Sequence, residues 1–248
     1  MDTYLYHQFA AIERDHWWFR ARREIVASVL RTSLTPSQER RVLDIGCGTG
    51  GMLEMLTEFG DVCGVDMSPE ALEYCRARLG ERVELRLGGL PDNLPAAVEC
   101  DVVTAFDVIE HLDDDIAALK TVYRVLPPGG VFVCTVPAFQ FLWGPHDDLN
   151  QHRRRYTSGS LERRLKAAGF RIEKLTYFNS WLFPVVAGVR LARRAFGGAG
   201  RPPRSDFFMP PRWVNQALTY LFTSEAQVLK LTSLPIGVSL IAVCHRAS

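Results

Sequence analysis

Val42-Leu43-Asp44-Ile45-Gly46-Cys47-Gly48-Thr49-Gly50-Gly51 decides how the rest of the chain is read. Branched and apolar residues lead into Asp44, and glycines then crowd together ahead of Met52-Leu53-Glu54-Met55-Leu56. The pattern predicts a strand, a tight turn and the first turn of a helix. Glycine has no Cβ, so the turn can bend sharply and lie against a ligand. The helix N-terminus beyond it presents unpaired N–H groups. A strand, glycine loop and helix in this order make a site for a nucleotide-like cofactor.

Two cofactors compete for that loop. Gly46-x-Gly48-x-x-Gly51 satisfies the dinucleotide fingerprint of nicotinamide and flavin enzymes. Gly46-x-Gly48-x-Gly50 satisfies the looser pattern of enzymes that use S-adenosylmethionine (SAM). Asp44, two residues before the first glycine, would face a pyrophosphate badly, because like charges at short range repel. It suits the cationic methionine end of SAM. The next landmark is Asp66, at the end of Val62-Cys63-Gly64-Val65-Asp66-Met67-Ser68. A carboxylate at the end of a short apolar strand can accept from two ribose hydroxyls, which fits both cofactors. An NAD-dependent oxidoreductase is therefore the competing reading.

The flanking sequence alternates between strand and helix patterns. Residues 5–32 are expected to be helical, followed by strand 41–45, helix 51–59, strand 62–66, helix 69–79, strand 83–87, strand 101–106, helix 114–125 and strand 131–136. Ser68-Pro69-Glu70 is a good helix start, with serine as N-cap and proline in the first turn. Helix 160–168 ends at Gly169, strand 170–177 follows, and strand 238–245 is last. Such alternation gives a parallel sheet covered on both faces, with the ligand at the carboxyl ends of the strands. Between the last two strands, residues 178–236 hold an apolar segment from Trp181 to Val189, arginines at 190, 193, 194, 201 and 204, a glycine-rich loop, and a helix expected over 211–231.

Four motifs match a known family in order: the Asp44 loop; Val65-Asp66-Met67-Ser68; Phe106-Asp107-Val108-Ile109-Glu110-His111; and Leu126-Pro127-Pro128-Gly129-Gly130 with its following strand. The chain here resembles the class I SAM-dependent methyltransferases over about residues 40–175. Asp15-His16-Trp17-Trp18-Phe19-Arg20 and His152-Arg153-Arg154-Arg155-Tyr156-Thr157 are similar to a subgroup associated with glycan, lipid or natural-product pathways. The resemblance implies an α/β fold: a Rossmann-like, doubly wound, seven-stranded mixed sheet with the last strand antiparallel. One domain, 1–248, would carry a helical N-terminal cap (1–35) and a helical insertion or substrate lid (178–236). SAM would be the cofactor and S-adenosylhomocysteine the product. The implied cofactor site comprises Asp44, Gly46, Cys47, Gly48, Gly50, Asp66, Met67, Gly89, Leu90, Phe106, Asp107 and His111. Asp44 would hold the methionine end, Asp66 the ribose hydroxyls, and Met67 would pack on the adenine. Family members often carry an acidic residue after the third strand; here Gly88-Gly89-Leu90 stands in that place, so backbone groups would replace it. The reaction implied is methyl transfer to a hydroxyl, amine or carbon of a small-molecule, sugar or lipid-like acceptor.

The catalytic candidates are His146, His152 and Tyr156, in the loop after the fifth strand, and His111. Imidazole titrates near neutrality, so a histidine there can deprotonate a nucleophile; structural hydrogen bonding is the competing role for each. Glu110-His111 reads either as a helix cap or as a wall of the pocket. In some quinone-type relatives such a pair helps to bind a divalent metal; carboxylate plus imidazole alone is an incomplete ligand set, so no metal is assigned. The Trp17-Trp18 pair reads as core, or as part of a helix closing over the cofactor with Arg20 or Arg23 near its carboxylate.

Composition limits the remaining possibilities. A chain of 248 residues suits one sizeable α/β domain with an insertion. A net charge of +1 argues against bulk nucleic-acid binding. The six cysteines form no C-x-x-C pair, so neither zinc nor a disulfide framework is indicated, and a reducing cytoplasm fits. The N-terminus has no signal-peptide pattern, and no apolar run is long enough to span a bilayer. The apolar segment with its arginines, 181–204, is either part of a lid packed on the core or a peripheral contact with an anionic membrane. A third reading is thus a non-catalytic, membrane-peripheral protein on the same fold. Neither the acceptor nor the oligomeric state is readable.

Overall fold

In the computed structural model, residues 3–34, 37, 39–95, 100–196 and 208–247 are described. Arg201, Arg204 and the glycine-rich loop lie outside them. The elements run α1 (Thr3–Ile12), α2 (Trp17–Ser33), β1 (Arg41–Ile45), α3 (Leu53–Leu56), β2 (Asp61–Asp66), α4 (Pro69–Leu79), β3 (Glu84–Leu87), β4 (Val102–Phe106), α5 (Asp115–Val125), β5 (Val131–Pro137), α6 (Pro145–Leu149), α7 (Ser158–Ala167), β6 (Phe170–Phe178), α8 (Phe183–Phe196), α9 (Arg212–Thr223), α10 (Glu225–Leu231) and β7 (Ser239–Arg246). The strands form one seven-stranded sheet in the order β3-β2-β1-β4-β5-β7-β6. β7 runs antiparallel to both neighbours, and the other pairings are parallel. The mixed sheet with an antiparallel last strand is as the family resemblance implied.

Strand alternation divides the core. Val42, Val62, Val102 and Val133 point to one face, where they meet Ile25 and Val29 of α2, Leu72 of α4 and Phe222 of α9. Leu43, Val65, Val103 and Phe132 point to the other, against Leu119 and Val122 of α5 and Leu161 and Leu165 of α7. Central strands apolar on both faces are what a parallel sheet with helices on each side requires. The order reverses at β1, which pairs with β2 on one side and β4 on the other. The carboxyl ends of these strands open a crevice there.

Three helices differ from their expected extents. The single helix expected over 5–32 is two, broken between Ile12 and Trp17. His16 caps α2 by accepting from Trp18 N, and Glu13 turns its side chain to accept from Thr49 Oγ1 at 2.9 Å. The break therefore lays α1 over the glycine loop. The helix expected over 51–59 is a single turn, because its continuation tightens into i→i+3 bonds, Glu58 N to Met55 O and Phe59 N to Leu56 O. The helix expected over 211–231 divides at Ser224, where buried Glu225 reaches out to accept from the amides of Ser180 and Trp181. Among the described residues, no helix is long and apolar enough to cross a membrane.

Candidate functional site

The loop after β1 has little to offer a pyrophosphate. Gly46 and Gly48 take left-handed conformations, with φ of +72° and +56°. A Cβ on Gly46 would stand 2.5 Å from Val108 Cγ2, whereas nothing lies within 4 Å of one on Gly48, whose bare backbone lines a cavity of about 490 Å³. Most of the loop's amides are already committed: Gly46 N and Cys47 N donate to Val65 O, Gly48 N to Asp66 Oδ2 and Gly50 N to Cys47 O. α3 is too short to act as an anion-binding helix.

Carboxylates ring the loop instead. Asp44 is 2% exposed and accepts from Thr104 Oγ1 at 2.6 Å. Burial pushes its carboxyl up to about 7, against the pull of the Thr104 hydroxyl and the Arg22 guanidinium. Asp66 accepts from both Gly48 N and Ser68 N, which fixes its orientation at the end of β2. Asp107 sits in the left-handed region at φ +57°, held by Thr135 Oγ1 donating at 2.9 Å and by Arg22 Nη2 at 2.7 Å. Arg22 is 7% exposed, lies over the Trp18 and Phe106 rings and lines the cavity, and its Nε has no hydrogen-bond partner. Buried carboxylates beside the incompletely satisfied Arg22 guanidinium suit a compact ligand carrying both a cation and a carboxylate.

A cluster of imidazoles and a carboxyl forms another wall. The turn Ile109–His111 brings Glu110 and His111 to the cavity, and the segment after β5 brings His146 and His152. His152 Nδ1 lies 2.9 Å from Asp147 Oδ1, and its Nε2 is 3.9 Å from Glu110 Oε1. Asp147 is fully buried and accepts from Arg155 Nε at 2.8 Å, Arg155 Nη2 at 2.9 Å and Gly144 N at 2.8 Å. Together with the His152 contact these hold its carboxyl well below the usual carboxylate range despite burial. Glu110 is the opposite case: it is fully buried, neither carboxyl oxygen has a hydrogen-bond partner, and burial raises it well above the usual range. Burial, with His152 nearby, lowers His111 to about 4, so its imidazole is neutral at neutral pH. One ligand atom each from Glu110, His111 and His152 come within 4.8 Å of one another. The third donor that Glu110 and His111 lacked in the sequence is thus His152, and the three can hold a divalent cation.

The cavity gathers Asp44, Gly46, Cys47, Gly48, Phe106, Asp107, His111, His146 and His152 from the residues singled out in the sequence. Cys47 is no nucleophile there, because its hydrogen bond with Cys75 and its burial raise the thiol far above its usual range. Gly50 is packed behind the loop, 3.0 Å from Cys75 Sγ if given a Cβ. Met67 is 67% exposed beside Gly89, where a Cβ would come within 2.5 Å of Met67 Cγ. Gly89 donates its amide to Asn93 O, so it lends space rather than a hydrogen bond, and Leu90 is buried. Tyr156 is a correction. It is 1% exposed, its hydroxyl donates to Asp115 Oδ2 at 2.8 Å, and burial raises it far beyond a useful base. Its place is under the site, not in it. Arg22 and Arg23 both line the cavity, Arg23 with its guanidinium donating to the Glu13 and Arg14 carbonyls, whereas Arg20 is exposed. The signal for Arg22 was present: it interrupts the apolar stripe Trp18, Ile25, Val26, Val29. Asp147 carried no such mark, and Arg155 stood in a basic run, Arg153-Arg154-Arg155, that reads as solvated or as a contact for an anionic substrate.

Residues 17–175 match the family model for a methyltransferase domain. A relative from Mycolicibacterium smegmatis, named a probable S-adenosylmethionine-dependent methyltransferase, is 34% identical over 165 residues, covering 65% of this chain and 62% of its own. A ubiquinone biosynthesis O-methyltransferase from Cereibacter sphaeroides is 36% identical over 104 residues, covering 40% of this chain and 42% of its own. The chain thus spans less than two thirds of the length of either relative. Two solved structures share the fold. An S-adenosylmethionine-dependent methyltransferase from Mesorhizobium loti has a TM-score of 0.57 at 18% identity, covering 88% of this chain and 95% of its own. Haemonchus contortus phosphoethanolamine N-methyltransferase 2, in complex with S-adenosyl-L-methionine, has a TM-score of 0.58 at 19% identity, covering 90% of this chain and 52% of its own.

Proposed function

The chain belongs to the SAM-dependent methyltransferase family, and we propose that it transfers the methyl group of SAM to a hydroxyl oxygen of a small-molecule acceptor bound beside His152. The observation that carries this reading is the state of the glycine loop. Most of its amides are spent on Val65, Asp66 and Cys47, and the carboxylates of Asp44, Asp66 and Asp107 stand around it, the last paired with Arg22. A zwitterion with a further positive sulfur fits that arrangement, with its carboxylate on Arg22 and its cationic end toward Asp44. A pyrophosphate does not, which counts against the oxidoreductase reading. SAM, when bound, supplies an activated methyl group, so no protein nucleophile is required.

The chain's own residues position and deprotonate. Asp66 is fixed to accept from ribose hydroxyls, and exposed Met67 offers an apolar face to the adenine. Asp147 takes the Nδ1 proton side of His152 and leaves Nε2 as the acceptor facing the cavity. A hydroxyl placed there would give its proton to Nε2, and SAM, if bound, would supply the methyl group to its oxygen, the electrons of the C–S bond remaining on sulfur. The name of the Cereibacter relative, an O-methyltransferase, supports oxygen as the first nucleophile to test. His152→Asn, assayed by S-adenosylhomocysteine release over a panel of phenols, aliphatic alcohols and amines, should lower turnover by ~10²–10⁴ while SAM affinity is kept. Unchanged turnover would return His152 to a structural role. A full loss restored only by added divalent cation would assign the Glu110, His111 and His152 cluster to a metal instead.

A further inference from the structure

α8 and α9 reverse the usual polarity of a helix lying on a core. Along α8 the half-buried positions 183, 186, 187 and 190 form one face, and from it Val186 and Arg190 line the cavity. The opposite face, where polar residues are expected, carries Val185 at 64% exposure, Val189 at 45%, Leu191 at 52% and Phe196 at 89%. α9 repeats the pattern. Val214 and Leu218 line the same cavity, whereas Trp213 is 74% and Tyr220 82% exposed. Of the fifteen large hydrophobic side chains exposed among the described residues, ten fall between Trp181 and Leu221. Single exposed apolar residues need no explanation, but a concentration of this kind marks an interaction surface.

Charge decides what covers it. The described residues between 181 and 223 include Arg190, Arg193, Arg194 and Arg212 and no aspartate or glutamate. An anionic bilayer matches both components: acyl chains for valine, leucine and phenylalanine, the interfacial layer for Trp213 and Tyr220, and phosphates for exposed Arg193, Arg194 and Arg212. No described helix is able to cross a membrane, so the contact lies along the surface. We propose that the outer faces of α8 and α9 dock this protein on an anionic lipid bilayer.

The test is flotation of the full chain with unilamellar vesicles of equimolar phosphatidylglycerol and phosphatidylcholine, compared with phosphatidylcholine alone. Partition onto the anionic vesicles should exceed that onto the neutral ones by at least about tenfold in ~0.1 M salt and fall as salt rises. Val185→Asp with Leu191→Asp should reduce it by at least about tenfold. Arg193→Glu with Arg194→Glu should do the same while leaving the apolar face intact. Thermal midpoint and SAM affinity should stay unchanged in both pairs, so failure of the cofactor reading and failure of the docking reading are told apart. Equal partition on the two vesicle types, or wild-type partition by both paired variants, would overturn the proposal. So would a concentration-dependent dimer abolished by the aspartate pair, which would give this face to a second copy.

Discussion

Asp147→Asn perturbs the deepest electrostatic element of the site. In the wild type the carboxylate is fully buried and accepts from His152 Nδ1, two nitrogens of Arg155 and Gly144 N, at 2.8–2.9 Å. The amide keeps one accepting oxygen and turns an NH₂ toward donors, so at least one Arg155 bond is lost. The Arg155 side chain, 7% exposed, is left without its counter-charge. Removing one partner of a buried pair costs about 3–5 kcal/mol. For a chain of this length that corresponds to a fall in thermal midpoint of roughly 6–20 °C, which an average fold survives. The sign of the pH dependence follows from the depressed native carboxyl. Stability from a depressed acid is fully present above its unfolded value and is lost as pH falls through the folded one. The gap between wild type and variant should therefore hold from neutrality to about pH 4 and close only in stronger acid. Calorimetric melts across that range measure it. Arg155→Met in the Asp147→Asn background should recover part of the loss, because it removes the stranded charge. A destabilisation below about 1 kcal/mol, or a gap that closes between pH 7 and 5, would refute the reasoning.

Other outcomes follow from the same geometry. Asp44 is raised to about 7 in the unliganded protein, so its proton favours the folded state below that value and this contribution is lost as pH rises from about 4 to 7. A cationic ligand needs the ionised form, so SAM affinity should weaken below pH ~7, approaching tenfold per unit, and Asp44→Asn should flatten the profile; calorimetric titration checks both. Tyr156→Phe removes a hydroxyl that shares Asp115 with Arg154 and Arg164. It should cost about 1–2 kcal/mol of stability with turnover kept within severalfold; a hundredfold loss of turnover with an unchanged melt would restore Tyr156 to catalysis.

The sheet and the cofactor end were largely legible because they rest on local rules. Strand patterning located β1, β2, β4 and β5 to within a residue, Ser68-Pro69 marked the start of α4, and the glycines located the turn. The extent of helices was less legible, since α1 and α9 end where Glu13 and Glu225 meet groups far away in sequence, and α3 ends where its continuation tightens before Phe59. The acceptor end was the least legible. Asp147 and Arg155 look like surface charges in a polar stretch, and only tertiary packing buries them against His152. Tyr156 misled for the converse reason: a polar group next to candidate bases in sequence is turned under the sheet end to hold Asp115.

Calorimetric titration of the purified chain with SAM and with NAD, for the wild type and for Gly48→Val, tests the central claim most directly. Gly48 combines a left-handed φ with a bare face on the cavity, so valine there strains the loop and fills the ligand's space without invading the core. The account predicts one SAM per wild-type chain, no heat with NAD, and loss of SAM binding in a variant that still melts cooperatively. Binding of NAD without SAM, or retention of wild-type SAM affinity by Gly48→Val, would contradict it.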